Sequence, residues 1–270
     1  MSMKILKYII VILLAVFIFL PFLWMFSTSI KHLSEVYSIP PNLVPKNFSP
    51  ENYVVAFTRT KALRAFFVSA VYSFGCVILY LFIAALAGYA FARYHFPGKN
   101  ILFLMVLATL MIPIEVNIVP LYRLLKKLGW LNTFQGMILP RVVEPFGIFL
   151  MRQHFQTIPN DYVDSARIDG CTEFGIFRKV MLPMSIPPII TAGLFMLLWR
   201  WNELLWPLII STSSHMRTIQ AAISLFVLER YTEWNYLMAL CVVAIIPMFA
   251  LFILIQKYFI KGLVITGLKG

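Results

Sequence analysis

Charged side chains are scarce in this chain: Asp, Glu, Lys and Arg together make up 13% of its 270 residues, whereas hydrophobic residues make up 61%. The mean hydropathy is +0.85. A soluble domain of this length needs many more polar side chains to cover its surface. The composition therefore excludes a soluble globular protein and indicates an integral membrane protein.

Acidic residues are the scarcer of the two charge types, with 11 Asp and Glu against 23 Lys and Arg, which gives a net charge of +12. In nucleic-acid-binding proteins such an excess is gathered along one face or stripe. Here the basic residues are spread over the connections between the apolar runs. Contact with membrane lipid accounts for this pattern, and we expect no nucleic-acid partner.

Cysteine is also rare, and the cysteines show no paired spacing: Cys76, Cys171 and Cys241. The histidines are scattered in the same way: His32, His95, His154 and His215. Disulfide frameworks and zinc sites need closely and regularly spaced ligands. The sequence therefore predicts neither a disulfide nor a metal site.

A nucleotide-binding P-loop is missing. Its G-x-x-x-x-G-K-[ST] pattern cradles phosphates, but the nearest approach, Gly98-Lys99, has Arg93 at the first glycine position and Asn100 after the lysine. No convergent set of acid, base and metal-ligand residues indicates a membrane-embedded enzyme either. We therefore expect no catalysis and no cofactor in this chain.

Long apolar runs dominate the rest of the sequence, and a helix needs about 20 such residues to cross a bilayer. Hydropathy alone leaves the number of transmembrane helices between four and six, because the fourth and fifth predicted spans each contain one arginine and one glutamate. We choose six, because the polar segment 152–183 must lie between two crossings. The expected fold is all-α, a single domain over 1–270 with six transmembrane helices. The predicted spans are 8–30, 65–92, 100–122, 137–151, 184–212 and 234–256.

The first apolar run is too long for the core of a cleaved signal peptide, so we expect it to remain as a helix. Lys4 and Lys7 precede it and favour an inside amino terminus. With six spans the carboxyl terminus is then also inside, although the basic residues of 123–127 would lie outside, against the positive-inside rule. The tail is basic as well: Lys257, Lys261 and Lys269.

The connection over 31–64 has no long apolar run and contains four prolines, which are Pro40, Pro41, Pro45 and Pro50. This pattern predicts an extended external loop. Two roles remain open for it, contact with an extracytoplasmic partner and a simple spacer.

The polar segment 152–183 predicts two short helices outside the bilayer. Asn160 is an expected N-cap with Asp161 in the first turn, and Gly170 is expected to end the first helix in a sharp turn. Thr172 can then cap a second helix that ends at Pro183. The second helix has an apolar stripe at helical spacing: Phe174, Phe177 and Met181.

Ionisable residues within apolar spans are costly and usually face a cavity or a partner. Glu115, Arg200 and Glu203 are of this kind, and Arg200 and Glu203 have the i, i+3 spacing of a helical ion pair. Aromatic and amide side chains surround that pair, and they suit either sugar recognition or an interfacial tryptophan belt. The possible substrate-pathway residues are Glu115, Trp199, Trp201, Asn202 and Glu203, with Trp206 beside them.

The polar segment also contains D-S-A-R-I-D-G-C-T-E-F-G-I-F-R-K-V-M-L-P. It resembles the EAA motif of ATP-binding cassette importer permeases, E-A-A-x-x-x-G followed by nine residues and I-x-L-P. Asp164 replaces the usual Glu, Ser165 an Ala and Val180 the Ile. Further similarity to the carbohydrate-uptake branch lies in W-N-E-L-L-W-P-L (201–208), E-W-N (233–235) and Q-K-Y-F-I-K-G-L (256–263).

The resemblance implies the type I ABC importer permease architecture, with 152–183 as a cytoplasmic coupling loop that fits a cleft on an ATPase. By their positions in the motif, the resemblance assigns this coupling role to Asp164, Ser165, Ala166, Asp169, Gly170, Leu182 and Pro183. We expect Gly170 to supply the turn and Asp164 a charged contact.

The resemblance also implies partners and a location. Two copies of a cytoplasmic subunit would bind and hydrolyse ATP with Mg, a second permease subunit would form a heterodimer with this chain, and an extracytoplasmic protein would deliver the substrate. The location is a prokaryotic inner membrane. The expected substrate is a sugar or oligosaccharide, and the alternatives are glycerol phosphate or another polar solute, or an ion-coupled secondary transporter that uses Glu115.

Overall fold

The computed structural model describes residues 2–227 and 231–267, and the side chains of 4–227 and 231–256. The tail lysines and all but the first residue of the 256–263 motif therefore lie outside the described side chains. The α-helices are, in order, α1 Ser2–Ser29, α2 Leu33–Val36, α3 Glu51–Thr60, α4 Ala62–Arg93, α5 Lys99–Ala108, α6 Ile114–Lys127, α7 Phe134–Ile138, α8 Pro145–Thr157, α9 Asn160–Ile168, α10 Glu173–Ile176, α11 Leu182–Met184, α12 Ile186–Trp201, α13 Leu205–Ile210, α14 Ile219–Ile223 and α15 Trp234–Gly267.

Short turns of other helical types join several of these helices. Three-residue 3₁₀ turns follow α5, α7 and α14, and a π turn separates α10 from α11. The contacts divide the chain into two compact units, the first Met1–Phe66 with Ile219–Phe249 and the second Phe67–Thr218 with Ala250–Gly270.

Three helical segments in the described part are long and apolar enough to cross a bilayer alone: Lys4–Ser29, Ala62–Arg93 and Trp234–Gln256. Three further pairs of helices reach that length only together and are bent at their junctions. The count is six if each bent pair forms one span, so the six spans stay a prediction. The bent pairs are Lys99–Met111 with Ile114–Lys127 (95°), Phe134–Arg141 with Pro145–Thr157 (47°) and Glu173–Met184 with Ile186–Trp201 (78°).

The first unit contains more helix than the extended loop that we predicted over 31–64. Helix α3 occupies Glu51–Thr60, and α4 begins at Ala62. The missed signal is the four-residue spacing of the buried residues Asn52, Ala56 and Thr60, which marks one helix face. Proline-rich sequence precedes this helix and does not interrupt it.

The buried side chain of Asn52 links three segments of the first unit by hydrogen bonds. Its side-chain amide donates to the carbonyls of Ser29 (3.0 Å) and Lys31 (2.8 Å), and its oxygen accepts from the Asn235 amide (3.0 Å). Arg59 forms an ion pair with Glu233 at 3.0 Å. These contacts fix the ends of α1, α3 and α15 to one another within this unit.

The second unit is built around one face of α4. Its central buried residues recur every four positions, which places them in a single stripe along the helix: Val68, Tyr72, Cys76, Tyr80 and Ala84. Helix α8 approaches this face closely, because a Cβ added at Gly88 would lie 2.6 Å from the Met151 Cβ. The same core includes buried residues of α9, the π turn and α12.

Candidate functional site

The polar segment folds as a helical hairpin, which we call the α9–α10 hairpin and define as residues 158–176. Gly170 joins its two helices with φ = +79°, a left-handed conformation that favours glycine. The Thr172 hydroxyl accepts a hydrogen bond from the Gly175 N–H at 3.1 Å and caps α10. The helix, glycine turn and second capped helix are therefore located where the sequence predicted them.

Two details of that prediction were wrong. Asn160 is the first residue of α9 and makes no capping bond, because its side-chain oxygen accepts from the Arg93 guanidinium instead. Pro183 does not itself end the second helical stretch, which runs without a break from α10 through the π turn into α11 and ends one residue later, at Met184. The chain bends one residue after α11, at Ser185, whose hydroxyl donates to the Met181 carbonyl at 2.7 Å.

The predicted coupling residues divide into an exposed set and an anchoring set. Ala166 is buried in the core of the second unit and Leu182 is half-buried. The remaining five are exposed: Asp164, Ser165, Asp169, Gly170 and Pro183. Their shared position on one hairpin is a structural fact, and their coupling role remains a prediction.

Arg167 ties the two helices of the hairpin together. Its guanidinium donates to Asp164 on α9 at 3.3 Å and to Glu173 on α10 at 2.8 Å. The hydrogen bond from Arg167 lowers the pKa of the Glu173 carboxyl, and the same bond raises the pKa of Arg167. Tyr94 adds a second donor to Glu173 at 3.3 Å. Neither Arg167 nor Glu173 was predicted from the sequence, although their six-residue separation spans the predicted turn.

The hairpin is attached to the membrane helices by polar and aromatic contacts. At the end of α4, Arg93 donates to the Asn160 side chain and to the Ile158 carbonyl. Tyr89 of α4 packs against Phe177 of the π turn and Phe155 of α8, with ring centroids 5.2 Å and 5.7 Å apart. Displacement of the hairpin would therefore act directly on α4 and α8.

Large apolar side chains lie on the outside of the hairpin. Ile168 is 86% exposed, Phe174 is 62% exposed and Tyr162 is 53% exposed. Together with the exposed carboxylates of Asp164 and Asp169 they form a mixed apolar and acidic surface. A polar segment with this many exposed apolar side chains is typical of a protein-binding surface.

A second polar cluster lies inside the apolar part of the second unit. The predicted Arg200–Glu203 pair is confirmed, with its atoms 2.7 Å apart, and the Arg200 side chain is only 3% exposed. Arg200 also donates to Glu144, Arg141 donates to Glu203 at 2.6 Å, and the Tyr72 hydroxyl donates to Glu203. We call Arg141, Glu144, Arg200 and Glu203 the charge cluster.

The charge cluster explains how ionisable residues are accommodated in the fourth and fifth predicted spans. Two guanidinium groups face two carboxylates, so the four charges sum to zero. Paired and hydrogen-bonded charges are the form in which such residues are tolerated away from water. Each of the two weak spans carries one charge of each sign, but the sequence did not predict that these charges pair between the spans.

The five predicted substrate-pathway residues do not converge on one cavity. Trp201 is buried, and Trp199 packs against Phe146 with ring centroids 5.7 Å apart. Asn202 ends α12, where its amide donates to the Leu198 carbonyl at 2.9 Å. Glu115 is exposed on α6, and Glu203 is held in the charge cluster. Their role in binding substrate remains a prediction.

A cleft of about 680 Å³ opens beside the charge cluster. One wall is a face of α6 with the preceding turn, and the other is the segment 140–145 between α7 and α8. Arg141 and Glu144 line it, whereas Glu115 does not. Within the described residues, no group of three or more His, Cys, Asp or Glu side chains is placed to hold a metal ion.

Comparison with known proteins identifies the class to which this all-helical arrangement belongs. Residues 80–265 match the family model described as binding-protein-dependent transport system inner membrane component. A chain of the crystal structure of a bacterial ABC transporter involved in the import of the acidic polysaccharide alginate superposes with a TM-score of 0.82 at 21% identity, over 95% of this chain and 96% of that one. The expected type I ABC importer permease fold is thereby confirmed.

Relatives in sequence agree with that class. The arabinooligosaccharides transport system permease protein AraQ of Halalkalibacterium halodurans is 38% identical over 84% of this chain and 81% of its own length. The sn-glycerol-3-phosphate transport system permease protein UgpE of Rhizobium meliloti is 33% identical over 91% of this chain and 90% of its own. The chain belongs to the family of binding-protein-dependent transport system inner membrane components, the permease subunits of ABC importers.

Proposed function

We propose that this chain is the permease subunit of an importer that moves a sugar or oligosaccharide inward by alternating access. An extracytoplasmic binding protein delivers the solute, and a second permease subunit forms the passage together with this chain. Two copies of a partner subunit bind and hydrolyse ATP with Mg, and this chain supplies no catalytic residue. The proposed location is the inner membrane of a prokaryotic cell.

The α9–α10 hairpin is the observation on which the proposal rests. In an importer whose ATP is hydrolysed by a partner, the permease receives work from that partner through a docking surface. The exposed Ile168 and Phe174 side chains, with the carboxylates of Asp164 and Asp169 beside them, offer such a surface. Apolar side chains supply buried area at an interface, and charged groups around them set its orientation.

Motion of the partner would pass from this surface into the membrane helices. Ala166 of the hairpin and Phe177, the residue that follows it, both lie in the core, and Tyr89 connects Phe177 to α4. Because packed cores deform little, a shift of the hairpin is transmitted as movement of whole helices. The 78° bend at Ser185 is the point at which the coupling segment meets α12.

The proposed orientation follows from the same assignment. With six spans, the hairpin lies in the connection between the fourth and the fifth span. That connection is on the same side of the membrane as both termini. The ATP-binding partner is cytoplasmic, so both termini are proposed to be cytoplasmic as well. The segment 31–60 then lies outside, where it is available to the binding protein.

The substrate assignment rests on the relatives. The AraQ relative is named for arabinooligosaccharides and is 38% identical, whereas the UgpE relative is named for sn-glycerol 3-phosphate and is 33% identical. We propose a sugar or oligosaccharide as the substrate. Glycerol phosphate is the second candidate, because relatives with that name also cover nearly all of this chain.

The experiment compares two glycines with the same left-handed backbone conformation. Gly170 has φ = +79° and donates its N–H to the Arg167 carbonyl, and Gly129 has φ = +70° and donates to the Lys126 carbonyl. A Gly170→Pro change should abolish ATP-driven uptake by the assembled complex, and Gly129→Pro, with a matched local defect outside the hairpin, should retain it. Membrane insertion of both is checked by the yield of full-length chain.

Normal uptake by the Gly170→Pro complex would refute the coupling role of the hairpin. Uptake that collapses with an ionophore and ignores depletion of ATP would refute the importer altogether in favour of a secondary transporter. Equal loss in both variants would show that the effect is not specific to the hairpin.

A further inference from the structure

The cleft beside the charge cluster has the size and lining of a small-solute site. Its volume of about 680 Å³ lies within the range of ligand pockets, roughly 300 to 1,000 Å³. The lining residues of α6 share one helix face, with Ile114, Asn117, Leu121 and Leu124 at intervals of three and four. Asn117 is the amide on that otherwise apolar face.

The opposite wall presents the charged residues. Arg141 and Glu144 both line the cleft, three residues apart, with Val143 between them. The Arg141 guanidinium donates to Glu203 at 2.6 Å and its Nε–H is shielded from solvent, so Arg141 is held in the charge cluster. One Glu144 oxygen accepts from Arg200, and the side chain keeps 23% of its surface exposed. The cleft therefore offers a carboxylate acceptor on one side and an amide on the other.

The balance of charge decides which solutes this lining suits. Arg141 is already paired with Glu203 at 2.6 Å, and Arg200 is shared between Glu203 and Glu144. A phosphate or carboxylate would have to displace a protein carboxylate from its arginine, which leaves that carboxylate unpaired in a shielded place. The four charges sum to zero, so no excess positive charge compensates an anionic solute.

A hydroxyl group has no such conflict, because it both donates and accepts. It can donate to the Glu144 carboxylate, whose side chain is partly exposed, and it can donate to or accept from the Asn117 amide. The apolar faces of a sugar ring would contact the walls formed by Ile112, Ile114 and Val143. We propose that this cleft is a binding site for uncharged polyhydroxylated solutes, with Asn117 and Glu144 as the polar contacts. The inference rests on the proposed transport function and selects its neutral substrate class over the phosphorylated one.

The first test is a protection measurement on the purified complex with ATPase and binding protein. A cysteine is placed at Asn117 in a chain whose native cysteines are changed to alanine, and its reaction with a small polar maleimide is timed. Probes are an arabinose oligosaccharide and other neutral oligosaccharides, sn-glycerol 3-phosphate, and an alginate oligosaccharide. A neutral probe should slow labelling of Asn117→Cys several-fold, and the two anionic probes should not. Gln153→Cys, exposed on α8 away from the cleft, is the matched control whose labelling should not change.

The second test removes the amide without introducing charge. Asn117→Leu should raise the KM for uptake of the neutral solute about tenfold, the loss expected of one or two hydrogen bonds. Gln153→Leu should leave KM unchanged, and the yield of assembled complex checks folding of both. Protection of Asn117→Cys by an anionic probe, or an unchanged KM in Asn117→Leu, would overturn the inference while ATP-driven uptake persists. Absence of any ATP-dependent uptake by the wild-type complex would instead refute the proposed function.

Discussion

Arg167 and Glu173 are joined by a 2.8 Å ion pair across the Gly170 turn. One lies on α9 and the other on α10, so the pair fixes the angle between the two helices of the proposed coupling hairpin. Both side chains are about half exposed. Such pairs contribute little to overall stability, roughly 0.2 to 1 kcal/mol. Their effect is expected on coupling rather than on folding.

The first prediction separates those two effects. Arg167→Met should lower the number of solute molecules transported per ATP hydrolysed by about twofold or more, because the hairpin is no longer held at a fixed angle. The melting temperature of the complex should change by only a degree or two. Arg178→Met, another exposed arginine just beyond α10, is the control. An unchanged transport ratio in Arg167→Met would show that the pair does not position the hairpin.

The second prediction concerns close packing of α4 on α8. An added Cβ at Gly88 would lie 2.6 Å from the Met151 Cβ and 3.0 Å from the Arg152 backbone nitrogen, so neither neighbour can easily yield. Gly88→Ala should cost about 1 to 3 kcal/mol of stability. At Gly193 the nearest atom is the end of the Leu81 side chain at 3.2 Å, which can shift, and Gly193→Ala should cost much less. Thermal unfolding of the two variants in detergent measures the difference. Equal losses would contradict the rigid α4–α8 contact.

The third prediction tests the balance of the charge cluster. Arg200→Met removes one positive charge and leaves two carboxylates competing for Arg141, which should cost about 3 to 5 kcal/mol. The double change Arg200→Met with Glu144→Gln keeps Arg141 paired with Glu203 and restores a sum of zero. It should be more stable than Arg200→Met alone, as measured by unfolding in detergent. A double variant that is less stable than the single one would refute the charge-balance account.

The fourth prediction is a dependence on pH in the segment 31–60. The Glu35 carboxylate accepts hydrogen bonds from the backbone N–H groups of Lys46 (2.7 Å) and Asn47 (3.2 Å). The Lys46 bond lowers the pKa of Glu35 below its ordinary value. A depressed pKa means that the stabilisation is present above the ordinary value, about 4.3, and is lost as pH falls through the lower folded value.

Proteolysis of intact complex by an acid-tolerant protease measures this loss. Cleavage within 36–50 should rise as pH falls below about 4, and Glu35→Gln should already be cleaved faster at pH 7 with little further change. Glu51→Gln, an exposed glutamate in the first turn of α3, is the control. A wild-type pattern of cleavage in Glu35→Gln would show that the carboxylate does not hold this segment.

The sequence predicted the hairpin well because its signals are local. Gly170 needs a positive φ and Thr172 caps the next helix three residues before Gly175, so neither depends on distant partners. Asn160 was misassigned because Arg93, 67 residues away, takes its side-chain oxygen. Local preference predicts a cap, and a tertiary contact overrides it.

The charge cluster was also only partly predictable from the sequence, because most of its contacts are between distant residues. The Arg200–Glu203 pair is readable from its i, i+3 spacing, but its contacts with Glu144 and Arg141 bring together residues more than 50 positions apart. The tryptophans and Glu115 were selected by residue type alone, and the fold does not bring them to one cavity. The cleft residue Asn117 was missed because a lone amide in an apolar run carries no spacing signal.

The central claim, that the hairpin docks on the cytoplasmic ATP-binding subunit, is tested most directly by photo-crosslinking from two isoleucines. Ile168, 86% exposed on the hairpin, and Ile39, 95% exposed in the connection between α2 and α3, are each replaced by a photoreactive residue in cells that express the whole complex. We expect an adduct with the ATP-binding subunit from position 168 and none from position 39. An adduct with that subunit from position 39, or its absence from position 168 in a complex that transports, would contradict both the docking surface and the orientation.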